Sequence, residues 1–170
     1  FSSGGTSEGQ LTASLSHSNG KDQFSGHLST QGLFDINLAG LLVKADANAT
    51  MEIDAAEGIF ASARNLSGNA RLELVPNSLR ELAIDFSKLG EAFGRVTASG
   101  FRDVPSGNWA LDCNISGVDR RVLNLVAAGH DLDFCGTVFS STNRVRFTPG
   151  GVKFGVTGRT IADQFSLARE

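Results

Sequence analysis

The sequence predicts an all-β protein with at most one or two short helices, an antiparallel meander that forms a β-groove, a jelly roll or a sandwich. Between Val43 and Asp54, apolar and polar residues alternate for twelve positions. Alternate side chains of a β-strand point to opposite faces, so this pattern buries one face of a strand, whereas a helix would spread the apolar residues around its surface. Shorter runs of the same kind recur along the chain, and its 20 glycines, with many Ser, Asn and Asp residues, supply tight turns.

The chain is long enough to bury one hydrophobic core. Its 170 residues are 41% hydrophobic, which is more than a disordered chain contains and fits a single domain. Residues 1–9 are mostly Gly, Ser and Thr, and we expect them to form a flexible lead or linker. The predicted domain therefore covers residues 10–170.

The first predicted element is a β-hairpin. Apolar and polar residues alternate in residues 10–16 and again in residues 23–30, and the polar segment 18–22 between them is typical of a turn. From Leu33 onward the pattern fits either a strand or one face of a short helix, and we favour the strand.

Further strands are expected to follow the long strand 43–54 as a meander. Residues 59–64 and 69–75 are predicted strands, joined by a turn at residues 65–68 and ended by Pro76.

A short helix is predicted after the next strand. Residues 82–86 alternate as a strand, and residues 87–93 are the best helix candidate. Ser87 can cap the helix, and Leu89 and Phe93 lie four positions apart on one face.

The C-terminal half is predicted to contain two further hairpins. Strands at 95–101 and 108–116 form the first, and strands at 143–148 and 151–157 form the second. The other predicted elements are a strand or short helix at 121–128, a strand at 132–139 and an edge strand in the tail from Ile161.

The charge pattern argues against nucleic acid as a partner. The 15 basic and 18 acidic residues are scattered and give a net charge of −3, and the only adjacent basic pair is Arg120–Arg121. Binding to phosphates normally needs a basic patch. The longest apolar run, residues 38–43, is far shorter than the roughly 18 to 20 residues that span a bilayer, so we expect no transmembrane segment in this chain.

No catalytic motif is found in the sequence. The densest polar cluster is His130–Cys135, but neighbouring residues of a strand point to opposite faces and do not converge on one metal ion. The acidic residues fall mostly on the polar positions of alternating strands, where solvent exposure accounts for them. We therefore predict that the protein is not an enzyme and has no metal site and no cofactor.

The two cysteines lie on separate predicted strands. Cys113 and Cys135 would suit one inter-strand disulfide in an oxidising compartment, or two buried free thiols.

The apolar side chains leave two interpretations of the interior. The 12 phenylalanines fall mostly on apolar positions of the strands and either pack into a filled core or line a hydrophobic groove that accepts an apolar ligand. In the groove interpretation, the lining residues are Phe24, Leu28, Val43, Met51, Ile53, Leu72, Leu74, Ile84, Phe86, Trp109 and Leu111.

Three segments carry a resemblance to a known group of proteins. Val43–Asp54, Ser67–Leu74 and Leu82–Leu89 resemble segments of bacterial periplasmic β-groove proteins, the AsmA and TamB group and the Lpt lipopolysaccharide-bridge proteins. The resemblance extends over residues 10–160. It implies a U-shaped sheet that shields lipid acyl chains during transfer between membranes, without a chemical step, and hence a lipid partner and a periplasmic or extracellular location.

Two other functions are compatible with the sequence. The β-rich pattern and the start at Phe rather than Met fit a processed structural subunit of a capsid, tube or fibre, which self-associates through its sheets. Glu57–Ser67 and Gly151–Gly158 are similar to strand segments of DNA sliding clamps, which implies a processivity factor.

Overall fold

The computed structural model describes residues 6–37, 42–130, 132–148 and 154–169, and these residues form an almost entirely β structure. A nine-stranded antiparallel sheet has the strand order β1-β2-β3-β4-β5-β6-β7-β9-β10, and β8 pairs with β11 separately. The strands are β1 Thr6–Asn19, β2 Asp22–Ile36, β3 Leu42–Glu57, β4 Leu66–Val75, β5 Ser78–Lys88, β6 Glu91–Arg102, β7 Trp109–Asp119, β8 Leu132–Asp133, β9 Val138–Phe147, β10 Phe154–Asp163 and β11 Ala168–Arg169. The helices are α1, Arg120–Val126, and two 3-10 helices, Gly58–Ala63 and Ala128–His130.

The strand order confirms the predicted all-β antiparallel fold. Each strand of the large sheet pairs with the strand that precedes it in the chain, except that β8 lies outside the sheet between β7 and β9. Among the described strands there is no crossover of the jelly-roll type, and β1 and β10 form the two edges. The large sheet is therefore a meander that is open at both sides.

The first hairpin is confirmed and is longer than predicted. Asn19 pairs with Asp22, and Gly20 takes a φ of 64° in the turn between them. β1 begins at Thr6, which pairs with Asp35, so the prediction of a flexible lead is wrong for residues 6–9. These residues need no apolar side chains, because backbone hydrogen bonds to β2 hold an edge strand in place. Residues 1–5 lie outside the described part of the chain.

The long alternating segment forms β3, as predicted. β2 continues to Ile36, so the strand interpretation from Leu33 is confirmed up to that residue. Residues 38–41, which follow in the apolar segment that begins at Leu33, lie outside the described residues.

The predicted strand at residues 59–64 is wrong, because this segment forms a 3-10 helix. Gly58 has a φ of 63° and turns the chain out of β3, and the Ile59 N–H donates to Asp22 Oδ1 over 2.9 Å. Ile59, Phe60 and Ala63 are all buried, which an alternating strand with one exposed face would not allow.

The predicted helix at residues 87–93 is also wrong, because Ser87 and Lys88 end β5 and β6 begins at Glu91. Lys88 pairs with Glu91, and the two residues between them, Leu89 and Gly90, have φ values of 52° and 85°. Two positive φ values in a two-residue hairpin loop are characteristic of a type I′ turn.

The segment after β7 forms a helix, one of the two options for residues 121–128. α1 begins after Asp119, whose carboxylate accepts the Arg121 N–H over 2.9 Å and caps the helix. The predicted strand 132–139 is broken, because Cys135 has a φ of 43° and turns the chain between β8 and β9.

The last predicted elements are partly confirmed. β9 and β10 form the third hairpin, and residues 149–153 of its loop lie outside the described part of the chain. Ile161–Asp163 belong to β10 rather than to a separate tail strand, and Ala168–Arg169 pair with β8.

The core lies at the end of the sheet where α1 packs. Phe60, Ile53 and Leu66 are the largest fully buried apolar side chains, and they form one cluster with Phe86 of β5 and Val122 of α1. The 3-10 helix Gly58–Ala63 and α1 thus cover the apolar face at this end and define its interior.

Candidate apolar binding site

The register of the sheet places apolar residues of successive strands in rows across one face. Leu28 of β2 lies opposite Met51 of β3. Met51 lies opposite Gly68, and Gly68 lies opposite Phe86. Because paired residues point to the same side of a sheet, this row forms one apolar surface that extends from β2 to β5.

A second row runs beside the first. Ala49 lies opposite Ala70, and Ala70 lies opposite Ile84. The small residues of the two rows, Ala49, Gly68 and Ala70, adjoin one another in β3 and β4, and the large side chains of Leu28, Met51, Ile84 and Phe86 lie around them. The apolar face is therefore recessed along the middle of this part of the sheet.

The recess forms a pocket of about 440 Å³ between the sheet and α1. Ligand-binding pockets commonly measure about 300–1,000 Å³, so this one can hold a small apolar molecule or part of a larger one. Its only lining residue with a side-chain hydrogen-bonding group is Ser16. The lining residues are Leu15, Ser16, Phe24, Leu28, Ala49, Met51, Ile53, Gly68, Ala70, Ile84, Phe86, Val122, Leu125 and Val126.

Gly68 keeps the middle of the recess open. A Cβ atom at this position would lie 3.4 Å from Met51 Cε and 3.4 Å from Phe86 Cε1. The missing side chain therefore leaves a gap between two large neighbours, and a bulky residue would fill it.

α1 forms the remaining wall of the pocket. Val122 is buried against the sheet, Leu125 is half-buried, and Val126 is 82% exposed. The exposed Val126 lies at the rim, so the pocket meets solvent beside the last turn of the helix.

A buried asparagine fixes α1 over the sheet. Asn124 Nδ2 donates to the Ile59 carbonyl oxygen over 2.8 Å and to Asp133 Oδ1 over 2.9 Å. Its Oδ1 accepts the Phe134 N–H over 3.0 Å. One side chain thus joins α1, the first 3-10 helix and the segment that contains β8.

The carboxylate of Asp133 completes this network. Arg120 Nη2 lies 3.2 Å from Asp133 Oδ2, and the Cys135 N–H donates to Oδ1 over 3.0 Å. Burial alone would raise the pKa of Asp133, but the hydrogen bonds from Asn124 and from the Cys135 N–H and the charge of Arg120 outweigh it, so the pKa lies below its usual value. Asp133 is therefore held as a carboxylate beside the helix.

The structure places only some of the residues predicted to line a groove in the pocket. Six of the eleven line the pocket, namely Phe24, Leu28, Met51, Ile53, Ile84 and Phe86. Three others, Val43, Leu74 and Trp109, line a separate depression at the opposite end of the sheet, and Leu72 and Leu111 occupy positions in rows of the same face.

Several pocket residues were not among those predicted. Leu15, Ala49 and Ala70 occupy alternating positions of β1, β3 and β4, and the period of those strands could have identified them. Val122 and Leu125 have no such signal. The sequence pattern of residues 121–128 fits both a strand and a helix, and it does not indicate that this segment packs against the apolar face of the sheet.

The phenylalanines do not all belong to the interior. Phe60 and Phe86 are buried, and the rings of Phe24 and Phe60 meet edge to face with their centroids 5.2 Å apart. Phe101, Phe154 and Phe165, in contrast, are each at least 60% exposed. Some of the rings therefore pack into a filled core beside α1, and others are exposed to solvent.

The two cysteines are free thiols in the structure, and both are half-buried. Cys113 lies in β7 opposite Asn143 of β9, whereas Cys135 follows β8 in a turn. Burial, and to a smaller extent the charge of Asp112, raises the pKa of the Cys113 thiol. That thiol is therefore a weak nucleophile at neutral pH.

The polar cluster His130–Cys135 has a structural part in the fold. His130 ends the second 3-10 helix, and Asp133 belongs to the network around Asn124. Asp131 lies outside the described residues. In the part of the chain that the structure describes, none of the helices has both the length and the apolar character needed to cross a bilayer.

Compared with models of known protein families, with curated protein sequences and with solved structures, the chain gives no match.

Proposed function

We propose that the protein is a non-enzymatic carrier or receptor for the hydrocarbon chain of a lipid. The observation that carries the proposal is the pocket of about 440 Å³ between the recessed apolar face and α1. Its lining consists of aliphatic and aromatic side chains and a glycine, with Ser16 as the only residue that has a polar side chain.

The lining favours a hydrocarbon over a polar ligand. A polar group buried without a hydrogen-bond partner costs about 1–3 kcal/mol, whereas each buried methylene contributes about 0.8 kcal/mol. A ligand with a polar head and an apolar tail can place the tail among Leu28, Met51 and Phe86 and keep the head in solvent beside Val126. The resemblance to periplasmic β-groove proteins supports the same class of ligand.

Native mass spectrometry of the protein purified without detergent tests the proposal. We expect adducts of phospholipid or lipopolysaccharide mass, or of added palmitate, on the folded protein. The substitution Ala70→Phe would fill the recess, because Ala70 lies in it between Ala49 and Ile84. We expect this variant to bind palmitate at least about tenfold more weakly.

A matched control comes from the neighbouring position on the same strand. Asn69 is exposed on the opposite face of β4, so Asn69→Phe adds the same ring away from the pocket. We expect Asn69→Phe to bind palmitate as the wild type does. A wild type that carries no lipid and does not bind palmitate would contradict the proposal, as would equal affinity in the Ala70→Phe variant.

A second candidate function is self-association through the sheet edge. β10 is exposed on both faces, its outer edge is unpaired within the described residues, and Phe154 is 70% exposed. Exposed apolar edge strands are templates for pairing with another chain. This observation favours the structural-subunit prediction, with a second copy of the chain as the partner.

The oligomeric state separates this candidate from the first. If β10 pairs with another copy, sedimentation should show a dimer or larger oligomer, and Val156→Lys on β10 should dissociate it. A monomer over the whole micromolar range would contradict the assembly function and would leave lipid binding to be decided by mass spectrometry.

A further inference from the structure

Three side chains with metal-binding groups meet on the face of the sheet opposite the pocket. His27 of β2 and Glu52 of β3 are paired in register, with His27 Nε2 3.5 Å from Glu52 Oε2. His27 Nδ1 lies 3.2 Å from Asp54 Oδ2. One ring nitrogen and one oxygen from each carboxylate lie within 4.8 Å of one another.

A β-bulge brings Asp54 into this cluster. Ser25 pairs with Ala55 and Gly26 pairs with Ile53, so Asp54 is an extra residue in β3 without a partner in β2. In a regular strand, Glu52 and Asp54 would point the same way but stand two positions apart along the strand. The bulge bends β3 here and directs the second carboxylate towards the imidazole.

Gly26 allows the two strands to approach closely at the bulge. A Cβ atom on Gly26 would collide with the carbonyl oxygen of Glu52. The close approach of the two strands beneath the cluster therefore requires a glycine at this position.

Other ionic contacts between neighbouring strands of the described residues are built differently. Two examples are Arg95 of β6 with Asp85 of β5, and Arg144 of β9 with Asp112 of β7, the latter with two hydrogen bonds of 2.8 Å. Each of these pairs sets one permanent cation against one carboxylate. At His27, one imidazole meets two carboxylates, and an imidazole nitrogen is a metal ligand where a guanidinium is not.

The geometry points to a surface site for a divalent transition-metal ion, with Zn²⁺ as the ion that fits best, held by His27, Glu52 and Asp54. Zinc binds His nitrogen and carboxylate oxygen at about 2.0–2.2 Å, and tetrahedral donors at that distance stand roughly 3.4 Å apart. All three side chains are about half exposed, so they can close on an ion without repacking the core. Water fills the remaining coordination position.

Bound zinc would also relieve the repulsion between the two carboxylates and tie β2 to β3 across the bulge. Because the ion binds only the folded arrangement, it stabilises the fold as its concentration rises. The site is on the face opposite the lipid pocket and is independent of the proposed lipid binding.

Isothermal titration of the chelator-treated protein with ZnCl₂ tests the site. We expect one equivalent of Zn²⁺ to bind and to raise the melting temperature. His27→Lys places a cation between the two carboxylates and removes the imidazole, so this variant should fold normally but bind Zn²⁺ at least about tenfold more weakly. Asp54→Asn should weaken binding in the same way.

Two controls separate this site from other zinc ligands. His130 lies after α1, away from the cluster, and His130→Ala should bind Zn²⁺ as the wild type does. The double variant Cys113→Ser/Cys135→Ser should also bind normally, because neither thiol belongs to the site. Unchanged Zn²⁺ affinity in His27→Lys, or no binding by the wild type, would overturn the inference and leave the three side chains as an ionic cluster only.

Discussion

Asn124 donates to the carbonyl oxygen of Ile59 over 2.8 Å, although the two residues are 65 positions apart in the chain. The bond joins α1 to the 3-10 helix that follows β3. Both helices cover the same end of the apolar face, so this bond holds α1, which forms one wall of the pocket, against the 3-10 helix. The side chain of Asn124 is completely buried, and its contacts replace the water that it loses.

Removing the Asn124 side chain should destabilise the fold. Asn124→Ala leaves the Ile59 carbonyl and the Phe134 N–H without their partner, and each unsatisfied buried group costs about 1–3 kcal/mol. We expect the free energy of unfolding to fall by about 2–4 kcal/mol in urea titrations. Palmitate binding should weaken as well, because α1 loses its fixed position.

Asn69→Ala provides the control for this change. Asn69 is exposed on the opposite face of the sheet, and its removal should alter stability by no more than about 0.5 kcal/mol. A similar small effect for Asn124→Ala would show that the network around Asn124 does not hold α1 in place.

The strands could be predicted from the sequence because their signal is local. Twelve alternating positions in residues 43–54 specify β3 without reference to the rest of the chain. The composition of residues 59–64 suits a strand, whereas the 3-10 helix that they form begins with a hydrogen bond from the Ile59 N–H to Asp22, which lies 37 positions away. Contacts of that range leave no periodic pattern in the sequence.

The residues of the candidate site show the same contrast between local patterns and long-range contacts. The period of the strands was sufficient to identify Phe24, Leu28 and Met51 as residues of one apolar face. It could not identify Val122, because the position of α1 depends on Asn124 and the chain around β8. The cluster at His27 was equally hidden, since it requires both the register of β2 against β3 and the bulge beneath it.

The turn between β5 and β6 offers a stabilising substitution. Leu89 has a φ of 52° and its side chain is 77% exposed, so it gains little from burial and adopts a backbone conformation that Asn tolerates better. Asn-Gly is a favoured sequence for a type I′ turn. We expect Leu89→Asn to raise the free energy of unfolding by about 0.5–1 kcal/mol, measured by urea titration.

Gly90→Val tests the same turn in the opposite direction. Gly90 has a φ of 85°, which a β-branched residue adopts only with strain, so this variant should be destabilised. If Leu89→Asn lowered stability or Gly90→Val left it unchanged, the positive φ values would not govern this hairpin.

The reactivity of Cys113 should reflect its raised pKa. The thiolate is the nucleophile, and burial lowers its population at a given pH. In the Cys135→Ser variant, we expect Cys113 to react with a maleimide more slowly at pH 7 than a free cysteine does. The rate should continue to rise above pH 8.5, the ordinary value for a free thiol.

Unfolding in urea should remove the effect. Cys113 is then exposed to solvent, and its reaction rate should approach that of free cysteine at the same pH. A folded protein whose Cys113 reacts as fast as free cysteine would contradict both the raised pKa and the burial of the thiol in β7.

Asp133 should make stability depend on pH in the acid range. Its pKa in the folded protein is below the ordinary value of 3.8, so the unfolded chain binds its proton first as the pH falls. The stabilisation from the carboxylate is therefore complete above the unfolded pKa and is lost as the pH falls through the lower, folded pKa. Asp133→Asn keeps an oxygen for Asn124 but removes the charge that faces Arg120.

The comparison of wild type with Asp133→Asn isolates this contribution. At pH 7 we expect the variant to be less stable by roughly 1 kcal/mol, the difference between a charged and a neutral hydrogen-bonded pair. The difference in the free energy of unfolding should narrow as the pH falls below the ordinary value of 3.8, because the unfolded wild-type chain then takes up its proton first, and should be lost once the folded carboxylate is protonated as well. Urea titrations of both proteins between pH 2 and pH 7 measure this difference in the free energy of unfolding. The range brackets the ordinary pKa of an aspartate. If the difference in the free energy of unfolding stayed constant over this pH range, the charge of Asp133 would not stabilise the segment beside α1.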